Sequence, residues 1–141
     1  MYDFSGYGGK EDLYKEFCRN ELNINLIKEN GAIYDFRDEN STRIELKKQQ
    51  DDNWIDSRKY SDLGDEDRKI KLHFLIYKKG QFDVEVWECN TGDFVDIFYK
   101  DEDKDIARAY YNMVNSTTQI KKSLRVKKFI KENNQIFKKI F

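Results

Sequence analysis

The possible folds of this chain are restricted most strongly by two neighbouring segments in which apolar and polar residues alternate. The segments cover residues 70–76 and 82–86, and the lysine- and glycine-containing residues 78–81 lie between them. A period of two is typical of a β-strand with one buried face, and so short a connection joins antiparallel neighbours. The turn-forming residues 90–93 and the apolar residues 94–99 predict a third strand of the same kind. We therefore expect three antiparallel strands in the second half of the chain.

The first part of the chain predicts a helix followed by a hairpin. Apolar residues recur at helical intervals over residues 10–29, and Gly31 is a typical residue just beyond a helix end. Apolar and polar residues then alternate over residues 34–46, on both sides of the turn-forming residues 38–41. These patterns add an N-terminal helix and two strands, while the glycine-rich residues 1–9 are expected to be flexible.

Helical patterns return in the C-terminal part of the chain. Asp101 is a typical helix N-cap, and in residues 119–141 the apolar side chains fall on one helical face and most lysines fall elsewhere, which predicts a basic amphipathic helix. The chain has 141 residues and no proline, so nothing marks a boundary between domains. We predict a single α+β domain. It has an antiparallel sheet of about five strands, in groups of two and three, covered on one face by the N-terminal helix and one or two C-terminal helices.

Charge is balanced overall but separated along the chain. The 26 lysines and arginines against 27 aspartates and glutamates exclude a uniformly basic nucleic-acid binder and a uniformly acidic mimic. Residues 119–141, however, carry a charge of +7, and the first 118 residues carry −8. A basic helix of this kind can bind phosphate backbones, an acidic membrane surface or an acidic partner. The alternative is that its apolar face packs on the sheet and its lysines only contact water. The candidate residues for contact with nucleic acid or the ribosome are Lys121, Lys122, Arg125, Lys127, Lys128, Lys131, Lys138 and Lys139.

A long acidic loop is predicted at residues 49–68, because carboxylates are frequent there and periodicity is weak. Aromatic rings among carboxylates have the composition of a protein-binding hot spot, in which the rings supply buried area and the charges steer association. The alternative is that the rings pack on the core and the acids contact water. Our leading hypothesis is a non-catalytic inhibitor that blocks a partner protein with a basic surface. Its predicted contact residues are Asp51, Asp52, Trp54, Asp56, Tyr60, Asp62, Asp65, Glu66 and Asp67.

His73, the single histidine of the chain, is the first candidate for general acid–base chemistry. Alternation places it with Lys71 on the strand face opposite Leu72, and Asp83 or Glu85 of the next strand is expected across from it. A histidine beside a carboxylate can transfer protons. Because the pattern places no serine or cysteine nucleophile nearby, we expect a surface or cross-strand ion pair instead.

Glu45-Leu46-Lys47 on the second predicted strand resembles the core of the PD-(D/E)xK nucleases. Alternation places Glu45 and Lys47 on one face of that strand. The resemblance implies that carboxylates hold Mg²⁺ and that the lysine orients water or stabilises a phosphoryl transition state. The further acids of the pattern are Asp35 or Asp38 upstream, and Glu16 or Glu21 on the preceding helix. The proline that usually precedes the aspartate is absent, so a Mg²⁺-dependent nuclease is the third hypothesis, after the two binding functions.

Residues 70–114 show the pattern strand, tight turn, strand, and then residues 94–99 leading into the acidic Asp101-Glu102 and on to Ala107 and Tyr110. This pattern resembles the end of small bacterial immunity proteins that neutralise polymorphic toxins. Immunity proteins bind and block a toxin and have no catalytic residues. The resemblance therefore implies a non-catalytic inhibitor, and a phage-type anti-defence inhibitor is the other form of this hypothesis.

Several features predict a cytoplasmic protein. No stretch reaches the roughly 18–20 apolar residues of a membrane span, and residues 1–12 lack the apolar segment of a secretory signal. Cys18 and Cys89 lie 71 residues apart without a CxxC pattern, which predicts two free thiols in a reducing compartment. No metal-ligand motif is complete, so we expect neither metal nor cofactor. The oligomeric state stays open, including pairing through Trp87 and Tyr77.

Overall fold

The computed structural model describes residues 2–4, 10–29, 34–49, 52–56, 64–77, 83–98 and 121–141, and of residues 48–49, 52–56 and 121–124 it describes the backbone. Short 3₁₀ turns occupy Asp67–Lys69 and Asn134–Ile136, and a π-helical turn, Cys18–Leu22, follows the first helix. The helices are α1 (Lys10–Phe17), α2 (Thr91–Phe98) and α3 (Val126–Glu132). The strands are β1 (Ile27–Lys28), β2 (Phe36–Arg37), β3 (Arg43–Gln49), β4 (Asp52–Asp56), β5 (Lys71–Tyr77), β6 (Val84–Asn90), β7 (Lys121–Arg125) and β8 (Lys138–Lys139).

Six strands form one sheet in the order β1-β2-β3-β5-β6-β8, and β4 pairs with β7 in a separate antiparallel ladder. Within the larger sheet β3 and β5 run parallel, with Ile44 opposite Lys71, and the other neighbours are antiparallel. A parallel pair needs a crossover connection, and the chain between these two strands includes β4. The α+β class is confirmed. Three strands, β1-β2-β3, meet three others, β5-β6-β8, at the parallel pair of β3 with β5, which the prediction of an antiparallel sheet in groups of two and three did not include.

Helices cover both faces of the sheet, so the prediction of one covered face is wrong. On one face, Phe74 of β5 packs with α2 and α3 in a cluster of the buried residues Leu72, Phe74, Ile76, Cys89, Phe94, Val95, Phe98, Val126 and Ile130. On the other face, Leu75 packs with α1 in a cluster of Phe4, Tyr14, Phe17, Cys18, Leu26, Phe36, Ile44, Leu46, Leu75 and Val86. We call these the α2–α3 face and the α1 face. Burial on both sides is the reason why the middle of β5 reads as a nearly continuous apolar run.

Two boundaries differ from the sequence-based prediction for local reasons. The first helix does not continue to residue 29, because Asn23 adopts a left-handed φ of 55° and its backbone N–H closes the helix on the Cys18 carbonyl. Residues 94–99 were predicted as a strand, but Phe94 belongs to α2. That helix begins at Thr91, whose hydroxyl donates to the Ile70 carbonyl at 2.8 Å. Its apolar residues follow helical spacing and are buried on the α2–α3 face.

The two charged segments also differ from the prediction, because they pair with each other. Residues 119–141 do not form one basic helix but contain β7, the seven-residue α3 and β8. Residues 49–68 are not a continuous loop, since β4 lies within them. In the ladder between β4 and β7, Asp52 lies opposite Arg125 and Asp56 lies opposite Lys121. Cross-strand positions of opposite charge favour this pairing.

No helix in the part of the chain that the structure describes is long and apolar enough to cross a membrane.

Candidate functional site

A groove of about 360 Å³ opens on the α2–α3 face between β6 and α3. Strand alternation turns Trp87 of β6 towards this face. On α3, the buried Val126 and Ile130 lie one turn apart and fix the helix on the sheet. This packing places Lys127 and Lys131, the residues that follow Val126 and Ile130, at the groove. We call this site the Trp87 groove, and its lining residues are Ile76, Glu85, Trp87, Lys127, Ile130, Lys131 and Asn134.

Positive charge surrounds the Trp87 groove. Lys127 and Lys131 are exposed and lie one helical turn apart on α3. Lys139 of β8 is opposite Trp87 in the strand register, and its Nζ lies 5.8 Å from the centroid of the Trp87 ring, a cation–π distance. Lys139 also lies 3.4 Å from the carboxylate of Glu85. Three lysines from two elements thus surround an apolar floor that contains one carboxylate at its edge.

A buried chain of polar side chains crosses the α1 face. His73 is 1% exposed, its Nδ1 lies 2.7 Å from the hydroxyl of Tyr14, and its Nε2 lies 2.9 Å from Oε2 of Glu88. An ionised carboxylate only accepts hydrogen bonds, so the Nε2–H donates to Glu88 and, in the neutral ring, Nδ1 accepts from Tyr14. Cys18, four residues after Tyr14 and buried in the same cluster, lies at the inner end. We call Cys18, Tyr14, His73 and Glu88 the polar chain.

Burial favours the neutral forms of Tyr14 and Cys18. Burial raises the pKa of the Tyr14 hydroxyl well above its usual value, and burial raises the pKa of the Cys18 thiol to about 12. Burial also raises the pKa of the Cys89 thiol. Both cysteines are free and buried, as predicted for free thiols. Tyr14 is fully buried, so its hydroxyl serves the hydrogen-bonded core and does not face a substrate.

Substitution of Glu88 by glutamine is expected to make the free energy of unfolding less dependent on pH in acid. The hydrogen bond from His73 lowers the pKa of Glu88, with Lys71 and Lys138 adding to the effect and burial opposing it. A carboxyl group with a lowered pKa in the folded state stabilises the fold above its unfolded pKa and loses this contribution as pH falls. The unfolding free energy of the parent should therefore fall more steeply than that of the Glu88→Gln variant between about pH 5 and pH 3. Equal slopes in denaturant titrations at several pH values would contradict this role.

The structure places the predicted histidine pair differently from the expectation. Glu88, not Asp83 or Glu85, lies opposite His73 in the strand register, and the histidine is buried instead of exposed. Glu85 lies opposite Ile76, whose side chain packs on the α2–α3 face. The predicted cross-strand pair of His73 with a carboxylate is therefore present, with Glu88 as the partner.

Of the predicted acidic contact residues, the structure describes the side chains of Asp65, Glu66 and Asp67. Asp51, Tyr60 and Asp62 lie outside the described residues, and Asp52, Trp54 and Asp56 lie on β4, opposite β7. Asp65 and Glu66 are exposed, and Glu66 pairs with Lys69 at 3.3 Å. Asp67 lies 3.8 Å from Arg43. Asp65 lines a depression of mixed charge, which Arg68, Lys69, Lys71 and Asp93 also line.

The predicted basic residues are divided between three elements. Lys121 and Lys122 lie on β7, where Arg125 ends the strand; Lys127, Lys128 and Lys131 lie on α3; Lys138 and Lys139 lie on β8. The structure brings Lys127, Lys131 and Lys139 to the Trp87 groove. Sequence reasoning missed the groove itself, although the alternation of β6 indicated which residues share a face with Trp87. Trp87 and Tyr77 pack on opposite faces of the sheet, so they do not form a common surface.

The nuclease-like residues are only partly brought together. Glu45 and Lys47 share a strand face as predicted and form an ion pair at 3.5 Å, with Glu45 buried. The α1 helix that carries Glu16 covers the opposite face, since Leu46 packs against it. The carboxylate of Asp35 accepts the backbone N–H of Leu46 at 2.9 Å.

The remaining acids of the nuclease pattern have other partners. Asp38 closes the turn before β3 by accepting backbone N–H groups of Asn40 and Thr42. Glu21 accepts a hydrogen bond from the hydroxyl of Tyr2. Within the described ranges, no group of three or more histidine, cysteine, aspartate or glutamate residues is placed to hold a metal ion.

No protein-family model matches the chain, and no curated protein sequence matches it. The resemblances to immunity proteins and to PD-(D/E)xK nucleases therefore stay predictions.

Proposed function

We propose that the protein is a non-catalytic binding protein that contacts an anionic partner through the Trp87 groove and the lysines around it. The observation that carries this proposal is the convergence of Lys127, Lys131 and Lys139, from two separate elements, on one half-buried tryptophan. Tryptophan with nearby cations is typical of binding hot spots, in which the ring supplies buried area. The lysines attract and orient the partner before contact. Binding at this face covers the partner's surface and blocks it sterically, as an inhibitor does.

This proposal keeps the inhibitor class predicted from the sequence but changes the charge of its binding surface. The acidic segment was the predicted contact region, yet β4 lies opposite the basic β7 in the sheet register. Charged positions of opposite sign therefore lie opposite each other in the register of this ladder. The exposed lysines on α3 and β8 form a region of mainly positive charge. A partner with an acidic surface is the complement of such a region. An immunity-type role in the cytoplasm agrees with this mechanism and stays part of the proposal.

Charge reversal at the groove is expected to weaken binding of a polyanion by about ten-fold or more. The probe is fluorescent poly-L-glutamate, and binding is followed by anisotropy at low and at physiological salt. The test variant is Lys127→Glu/Lys131→Glu, and the matched control is Lys10→Glu/Lys15→Glu on α1. All four lysines are exposed, and α1 covers the opposite face of the sheet. The control should bind within about two-fold of the parent.

Two results would contradict the proposed function. The first is absence of salt-sensitive poly-L-glutamate binding by the parent. The second is equal weakening in the groove variant and in the α1 control, since a general effect of net charge would then explain the binding.

A further inference from the structure

The floor of the Trp87 groove is apolar, although a surface that acts only by attracting charge needs no apolar floor. Ile76, Trp87 and Ile130 form this floor, and they come from the sheet and from α3. The volume of about 360 Å³ is in the range of sites that hold a small ligand or a large side chain. The two groove lysines of α3 lie one helical turn apart, roughly 6 Å along the axis. An occupant must therefore combine an apolar group with negative charges at close spacing.

We infer that the Trp87 groove binds an acidic segment of a partner protein that inserts one large apolar side chain between flanking carboxylates. This inference rests on the proposed function and names the partner of the same site. The inserted side chain covers the floor at Trp87, and the flanking carboxylates pair with Lys127 and Lys131. Burial of such a side chain supplies affinity, and the charges fix its position.

Two contacts in the groove favour a protein segment over a nucleic acid. Base stacking needs an open aromatic face, and Lys139 lies over the Trp87 ring, whereas an inserted aliphatic side chain can also contact Ile76 and Ile130. Glu85 lines the groove and lies 3.4 Å from Lys139, so a phosphate there meets a carboxylate. A peptide backbone offers an N–H donor to Glu85 at each residue, whereas phosphate oxygens only accept hydrogen bonds.

The test compares two fluorescein-labelled peptides made of aspartate and glutamate, one with a central leucine and one with a central serine. The parent should bind the leucine peptide about ten-fold more tightly than the serine peptide, because only leucine fills the apolar floor. Asn134→Trp places a large side chain at the groove without changing charge. Gln135→Trp, at the next exposed position, is the matched control.

Each outcome of this test supports or overturns the inference. Loss of the leucine preference in Asn134→Trp supports it, together with retention of that preference and unchanged poly-L-glutamate binding in Gln135→Trp. Equal affinity of the parent for both peptides overturns the inference while leaving the proposed function intact. Tighter lysine-dependent binding of a single-stranded RNA oligonucleotide than of the leucine peptide overturns it in favour of nucleic acid. Absence of binding to both peptides and to poly-L-glutamate overturns the proposed function as well.

Discussion

Replacement of Phe94 by alanine is expected to lower the free energy of unfolding by about 3–5 kcal/mol. Phe94 is fully buried at the centre of the α2–α3 face. Its ring lies 5.6 Å from Phe74 of β5, 5.1 Å from Phe98 of α2 and 5.4 Å from Phe129 of α3, measured between centroids. Truncation removes contacts with β5, with α3 and within α2 itself, and it leaves a cavity that these rings cannot fill without moving.

The matched control is Phe94→Leu, which keeps most of the side-chain volume and should cost less than half as much. Denaturant unfolding of both variants at neutral pH gives the comparison. A loss below about 1 kcal/mol for Phe94→Ala would contradict the burial of this ring and, with it, the assignment of residues 91–98 to a helix on the sheet.

Replacement of His73 by leucine is the second change with a large expected effect, a loss of about 2–4 kcal/mol. Leucine is similar in size but neither donates nor accepts a hydrogen bond. The hydroxyl of Tyr14 and the carboxylate of Glu88 then both lose a partner, and Tyr14 is fully buried. Leaving a buried polar group without a partner costs more than the hydrogen bond itself contributes.

A double-mutant cycle with Tyr14→Phe separates this effect from a change in packing. Phenylalanine removes the hydroxyl that His73→Leu leaves unsatisfied, so the double variant should lose at least about 1 kcal/mol less than the sum of the single losses. Additive losses in denaturant unfolding would show that the two side chains do not depend on each other, in contradiction to the polar chain.

The parts of the fold that depend on local patterns could be predicted from the sequence. Alternation identified β3, β5 and β6, and helical spacing identified α1. The parallel pairing of β3 with β5 could not be predicted, because these strands meet through a crossover and no turn fixes their register. Residues 94–99 form a short apolar run, and such a run does not distinguish a strand from a buried helix. The contacts of Phe94 with α3 decide in favour of the helix.

The candidate site was predictable in its charges but not in its shape. The lysines were evident from composition, whereas the groove required α3 to dock beside Trp87. The partner of His73 was misassigned for a similar reason. The register of β5 and β6 sets Glu88 opposite the histidine, and Glu85 faces the other side of the sheet. The pairing of β4 with β7 joins segments that lie far apart in the chain, so local patterns carry no signal for it.

Binding at the Trp87 groove can be observed residue by residue in a ¹H–¹⁵N NMR titration of the full chain with the leucine peptide. We expect the largest shift changes at the Trp87 indole and at the backbone amides of Lys127, Lys131 and Asn134, with little change at Asp65 and Glu66. Changes confined to residues outside the groove would contradict binding at the groove.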